Sequence, residues 1–96
     1  TNTTGDIGTP PNMIAPQKRM LSSMTPVIVT RNGKVVLITG SPGGRTIINT
    51  VFDVVLNVTA FGMNGRQAVD APRLHHQWMP DQLTLEANAV PDETLA

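Results

Sequence analysis

The chain has 96 residues, the size of one small domain or of part of a larger one. Seven Lys+Arg balance seven Asp+Glu, which argues against a partner held by charge alone, such as nucleic acid or an anionic membrane surface. The absence of cysteine excludes a disulfide scaffold, a thiolate metal site and a cysteine nucleophile, and the 3% aromatic content leaves Val, Ile, Leu and Met to build the core.

Residues 1–17 (TNTTGDIGTPPNMIAPQ) are rich in Thr, Gly, Pro and Asn and have no hydrophobic period, which predicts an extended loop segment. The next stretch reads as a β-hairpin: Pro26-Val27-Ile28-Val29-Thr30, then Asn32-Gly33, then Val35-Val36-Leu37-Ile38-Thr39. Asn-Gly supplies the two positive-φ positions of a type I′ turn, and β-branched residues flank it. Both runs are almost continuously apolar, which predicts a sheet covered on both faces.

Gly40-Ser41-Pro42-Gly43-Gly44 leads into residues 45–62 (RTIINTVFDVVLNVTAFG). Many of these are β-branched, yet the polar residues decide for a helix. Thr46, Asn49, Thr50, Asp53 and Asn57 recur at spacings of three and four and form one stripe, with Ile47, Ile48, Val51, Phe52, Val55, Val58 and Phe61 covering the rest. Arg45, Asp53 and the asparagines interrupt a stretch close to membrane-spanning length, so a buried helix of a soluble fold is expected, ending at Gly62. Asn64 is placed to cap a short helix that stops before Pro72. Residues 73–81 look irregular, 82–86 alternate as a strand, and the remainder returns to loop composition. These elements make an α+β chain in which a hairpin is followed by a long helix.

Gly43 and Gly44 stand between a strand and a helix N-terminus. Two readings are open there. Adjacent glycines let backbone N–H groups converge beside the positive end of a helix dipole, which suits a phosphate, a carboxylate or a developing oxyanion. They also simply permit a tight strand-to-helix turn. The lysine and spacing of a Walker loop are missing. Ser22 and Ser23 precede the first strand, and because the hairpin reverses the chain they are expected at the same edge as the glycines. His75 and His76 are adjacent and should point apart, so hydrogen bonding or packing around Trp78 is favoured over a metal site. Asp53, Asp70, Asp81 and Glu86 make no acid–base pair, and solvent-facing or capping roles are expected for them.

Three segments, Lys18-Arg19-Met20-Leu21-Ser22-Ser23-Met24-Thr25-Pro26, Gly40-Ser41-Pro42-Gly43-Gly44 and Ala71-Pro72-Arg73-Leu74-His75-His76-Gln77-Trp78, resemble the C-terminal half of the small subunit of the γ-glutamyltranspeptidases. The likeness runs in order from Asn12 to Glu86. It implies a portion of an N-terminal-nucleophile hydrolase with an αββα sandwich, in which a precursor cleaves itself. The new N-terminal threonine then attacks γ-glutamyl donors such as glutathione, and the acyl-enzyme passes to water or to an amino acid or peptide amine. By that resemblance Ser22 and Ser23 bind the donor α-carboxylate and Gly43 and Gly44 form the oxyanion hole. The resemblance implies no cofactor and no nucleic acid, and it alone suggests a periplasmic or extracellular setting.

The family's nucleophile lies several tens of residues before the serine pair, in a Thr-Thr-His-like context. Thr1-Asn2-Thr3-Thr4-Gly5 is too close to Ser22 and lacks that context. The chain is therefore expected to be a single partial domain, residues 1–96, without the nucleophilic threonine. It should be inactive alone, need the remainder of the small subunit and the large subunit, and tend to self-associate through uncovered apolar faces. The alternatives are a freestanding α+β binding or assembly module with an anion-binding glycine turn, and a related amidohydrolase with a different donor pocket.

Overall fold

Asn32 and Gly33 both take positive φ, 51° and 75°, and so reverse the chain within two residues. The computed structural model describes residues 10–94, and in it this turn joins β1 (Val27–Arg31) to β2 (Lys34–Thr39) as an antiparallel pair. Val27 faces Thr39 and Val29 faces Leu37; the register then shifts, so that Thr30 faces Val35 and Val36 is the extra residue of a bulge. Val27, Val29, Leu37 and Thr39 are half-buried, whereas Ile28 and Ile38 are 64% and 71% exposed. The apolar pattern predicts cover on both faces; the structure covers one. Strand side chains alternate between faces, and only one face of this ribbon meets the helix.

A short 3-10 turn (Gly44–Thr46) leads into α1 (Ile47–Thr59), as the three-and-four spacing predicts. Its polar residues do not lie on the solvent side alone. Val51 and Val54 are buried against the hairpin side, but the polar stripe also turns inward: Asn49, Thr50, Asp53 and Asn57 are half-buried. Ile48 and Phe52 are 55% and 60% exposed. The inward stripe is tolerated because its amides find partners. Asn49 Nδ2 donates to the His76 carbonyl at 3.2 Å, and Asn57 Nδ2 donates to the Ala68 carbonyl at 3.4 Å. At the C-terminus the Ala60 N–H donates to the Leu56 carbonyl and the Met63 N–H to that of Asn57, with Gly62 at φ 67° making the reversal. Among the described residues no helix is long and apolar enough to cross a membrane.

Asn64 caps α2 (Gly65–Asp70) as its position predicts. Its Oδ1 accepts the Gln67 N–H at 2.9 Å, and Gln67 Oε1 accepts the Asn64 N–H at 3.0 Å, a complete capping box. The opposite face of α2 places Ala68, 1% exposed, against α1, and Arg66 pairs with Asp70 one turn on. The chain then forms a second, two-residue ladder, β3 (Leu74–His75) with β4 (Thr84–Leu85). Residues 73–81 are thus not wholly irregular, and the strand expected over 82–86 is shorter. A two-residue strand such as β3 is too short to show alternation in the sequence; the ladder is held where Arg73 and Glu86 bind each other through both backbone and side chains. Residues 10–17 hold one 3-10 turn, Pro10–Asn12, and no strand; the rest of the loop segment expected over 1–17 lies outside the described residues.

The molecule is a plate of 45 × 44 × 17 Å, thick enough for a sheet and one helix layer. Only Val51, Val54 and Ala68 are buried among the described residues. With so small a core, the local caps carry a large share of the order in α2. Asn64→Ala is expected to lower stability by about 0.5–2 kcal/mol, read as a lower urea midpoint with unchanged slope. An unchanged midpoint would mean that the box contributes nothing.

Candidate functional site

The glycine turn is built by sterics. Gly43 has φ 139° and ψ 7°, and a Cβ placed there would lie 2.6 Å from Thr46 Oγ1. That closeness is part of the turn itself: the Gly43 carbonyl accepts the Thr46 N–H at 3.1 Å and the Thr46 hydroxyl at 3.0 Å. Gly44 has φ 58°, a left-handed value, but a Cβ there would meet nothing within 4 Å. Gly43 is therefore required by both backbone and space, Gly44 by backbone alone, with open space on its outer side. The chain passes from Gly44 straight into the first turn of the α1 region, where N–H groups lack intrahelical acceptors.

The serine pair lies at the same end of the hairpin. Val27 is paired with Thr39; Ser23 is four residues before the one and Gly43 four residues after the other. Ser22 Oγ accepts the Met24 N–H at 3.2 Å, and the Ser23 carbonyl accepts the Thr25 hydroxyl at 2.9 Å. Beside the turn is an open cavity of about 450 Å³, lined by Thr39, Ser41, Thr46 and Thr50, by Arg73 and Glu86, and by the apolar Val51 and Val54. Neither the glycine pair nor the serine pair lines it.

The histidines diverge, as adjacent residues on extended backbone should. His75 Nε2 meets Gln77 Oε1 at 3.1 Å, while His76 Nε2 meets Asp81 Oδ1 at 2.9 Å. Trp78 does not serve as a packing centre for them: its side chain is 69% exposed, and its backbone N–H donates to His76 Nδ1. Among the described residues no group of three or more His, Cys, Asp or Glu could hold a metal ion.

Asp70, Asp81 and Glu86 engage Arg66, His76 and Arg73 respectively. Asp53 departs from the solvent-facing or capping role expected of it. It is half-buried on the inner face of α1, and burial raises its carboxyl above the ordinary 3.8; Arg73 and His75 act in the opposite direction, and Glu86 adds to the rise. An aspartate in line with Asn49 and Asn57 was the available sign of an internal polar seam.

The geometry of the turn gives a sharp expectation. Gly44→Ala costs about 1–2 kcal/mol for its left-handed backbone, and Gly43→Ala costs more because the methyl group overlaps Thr46. Adding Thr46→Ala should recover part of the Gly43→Ala loss and none of the Gly44→Ala loss, as measured by denaturant unfolding. Equal costs for the two alanines would refute the steric distinction.

Comparison with known proteins follows the same residues. The sequence model of the gamma-glutamyltranspeptidase family matches residues 1–96. The glutathione hydrolase proenzyme of Escherichia coli (strain K12) is 50% identical over 91 residues, a match covering 95% of this chain and 16% of that protein. Among solved structures, an acivicin-inhibited gamma-glutamyltranspeptidase superimposes with a TM-score of 0.82 at 49% identity, covering 96% of this chain and 49% of that one. A mutant of the Helicobacter pylori gamma-glutamyltranspeptidase agrees equally well, with a TM-score of 0.82 over 96% of this chain and 50% of that one. The chain thus spans about a sixth of the length of the curated relative and half of the structural ones. With the sequence matched from end to end and the hairpin and helix superimposed on solved members, the chain belongs to the gamma-glutamyltranspeptidase family.

Proposed function

We propose that the chain is the C-terminal part of the small subunit of a γ-glutamyltransferase and glutathione hydrolase, one portion of an αββα sandwich. In this reading Ser22 and Ser23 donate hydrogen bonds to the α-carboxylate of a γ-glutamyl donor, and the N–H groups of Gly43 and Gly44 stabilise the oxyanion. The observation that carries it is the glycine turn, with Gly43 sterically obligatory, opening into α1 at the hairpin end that also bears the serines. The attacking threonine oxygen, supplied by a segment preceding this one in the small subunit, bonds to the γ-carbonyl carbon. The carbonyl electron pair moves onto oxygen and is held at the turn; as it returns the C–N bond breaks, the amine leaves with the proton given up by the threonine hydroxyl, and an ester remains. Water or an amino acid or peptide amine then attacks the ester through the same oxyanion.

In the complete enzyme the two groups separate kinetically. Each hydrogen bond to a charged carboxylate is worth about 1.5–3 kcal/mol, so Ser22→Ala with Ser23→Ala should raise KM for a γ-glutamyl anilide and leave kcat nearly unchanged. Gly44→Pro removes an N–H and should lower kcat by about 10²–10³; because proline also forbids the φ of 58°, Gly44→Ala, which strains the turn but keeps the N–H, is the control and should retain most of kcat. Unchanged kinetics in both folded variants would make serines and glycines structural.

The chain by itself is expected to be inactive. A prepared oxyanion hole lowers a barrier only when a nucleophile attacks, and no residue here matches the family's threonine context. Ile28, Ile38 and Phe52, each 60% exposed or more, favour self-association of the isolated chain. Assay of the purified chain with the same anilide tests this: no turnover alone is expected, and robust turnover would return Thr1 to consideration as a nucleophile.

A further inference from the structure

A trans peptide points its carbonyl and its N–H in opposite directions, so a hydrogen bond that holds the carbonyl also aims the N–H of the next residue. The peptides that carry the Gly43 and Gly44 N–H groups end in the carbonyls of Pro42 and Gly43, and both are trans. Each of these carbonyls is held by a side-chain hydroxyl. Ser41 Oγ donates to the Pro42 carbonyl at 2.7 Å. Thr46 Oγ1 donates to the Gly43 carbonyl at 3.0 Å, beside the Thr46 N–H at 3.1 Å.

The surroundings of the loop agree with this division. Ser41, Pro42 and Thr46 line the open cavity beside the turn, and neither glycine does. The hydroxyl-bearing residues thus stand on the cavity side of the loop and the glycines away from it. A Cβ on Gly43 would lie 2.6 Å from Thr46 Oγ1, so that hydroxyl sits directly on the turn, whereas a Cβ on Gly44 would meet nothing within 4 Å. Two consecutive glycines have wide backbone freedom, and a peptide between them rotates easily unless something holds it. A donor on the carbonyl supplies that restraint. It also draws electron density through the peptide and makes the N–H on the other side a stronger donor.

We propose that Ser41 and Thr46 are positioning residues for the oxyanion, each hydroxyl tethering the peptide that presents one of its two N–H donors. Ser41 holds the peptide of the Gly43 N–H, and Thr46 holds the peptide of the Gly44 N–H. The inference rests on the reading of the glycine pair as oxyanion donors. Neither hydroxyl touches the substrate or moves a proton in it. Their part is to keep the N–H groups in place before negative charge develops, which favours the transition state over the ground state. Formation and breakdown of the ester pass through an oxyanion at the same place, so both steps depend on the tethers.

The test uses the complete enzyme and a γ-glutamyl anilide. Thr46→Val keeps the side-chain shape and removes one hydroxyl; Ser41→Ala removes the other. Each should lower kcat about 3- to 10-fold, the range of one neutral hydrogen bond, with KM nearly unchanged. The loss should be the same in hydrolysis and in transfer to an amine acceptor. Thr46→Ser keeps the hydroxyl and should restore most of kcat, even if its melting temperature is lower. A hydroxyl needed only for folding would change the melting temperature and leave turnover per folded molecule as it was. Normal kcat in folded Thr46→Val and Ser41→Ala, or a Thr46→Ser variant no better than Thr46→Val, would overturn the tethers. If Thr46→Val does not fold, Ser41→Ala decides alone. Gly44→Pro set against Gly44→Ala separates the two levels. A kcat lost in the proline variant only, with both hydroxyl variants normal, removes the tethers and leaves the oxyanion reading standing. Equal kcat in the proline and alanine variants removes that reading, and this inference with it.

Discussion

The turn at Gly43 is the constraint on which the arrangement depends. The hairpin delivers the chain at Thr39, and α1 must begin almost at once if Val51 and Val54 are to reach the sheet. Gly43 achieves the change of direction with a backbone that excludes a side chain, because Thr46 closes back on it through two hydrogen bonds to one carbonyl. In the proposed enzyme the same closure would also fix the amides that face a developing negative charge. A rigid turn suits that task, because donors already in place need no reorganisation when the charge appears.

From that turn the helix carries a polar seam into the interior. Asn49, Asp53 and Asn57 face the β3 and α2 side, and the seam is stabilised by bonds to backbone carbonyls rather than by apolar contact. Such a seam is directional. It holds the segment of residues 73–78 in one register against the helix, where an apolar stripe would permit sliding. The consequence is an inverted helix, with Ile48 and Phe52 outward.

Those outward residues, with Ile28 and Ile38 of the sheet, give the plate two apolar faces. The matched solved chains are about twice as long as this one. In the proposed sandwich the further layers would cover these faces, which accounts for a nearly continuous Val/Ile pattern in strands that are half-exposed here.

Local chemistry was legible in the residues themselves. Asn32-Gly33 specifies a turn with two positive φ values, Asn64 and Gln67 specify a reciprocal cap, and the spacing of Thr46 to Asn57 specifies a helix, because each depends only on neighbours along the chain. The motifs around Ser22-Ser23 and Gly43-Gly44 likewise carried the family. What tertiary structure alone decided was direction and partnership. The stripe on α1 could face either way until β3 and α2 supplied carbonyls for its amides. The β3–β4 ladder needed Arg73 and Glu86, thirteen residues apart, to meet. Asp53 acquired its half-buried place and raised carboxyl from groups that no local pattern brings together, since burial is a property of the packed chain.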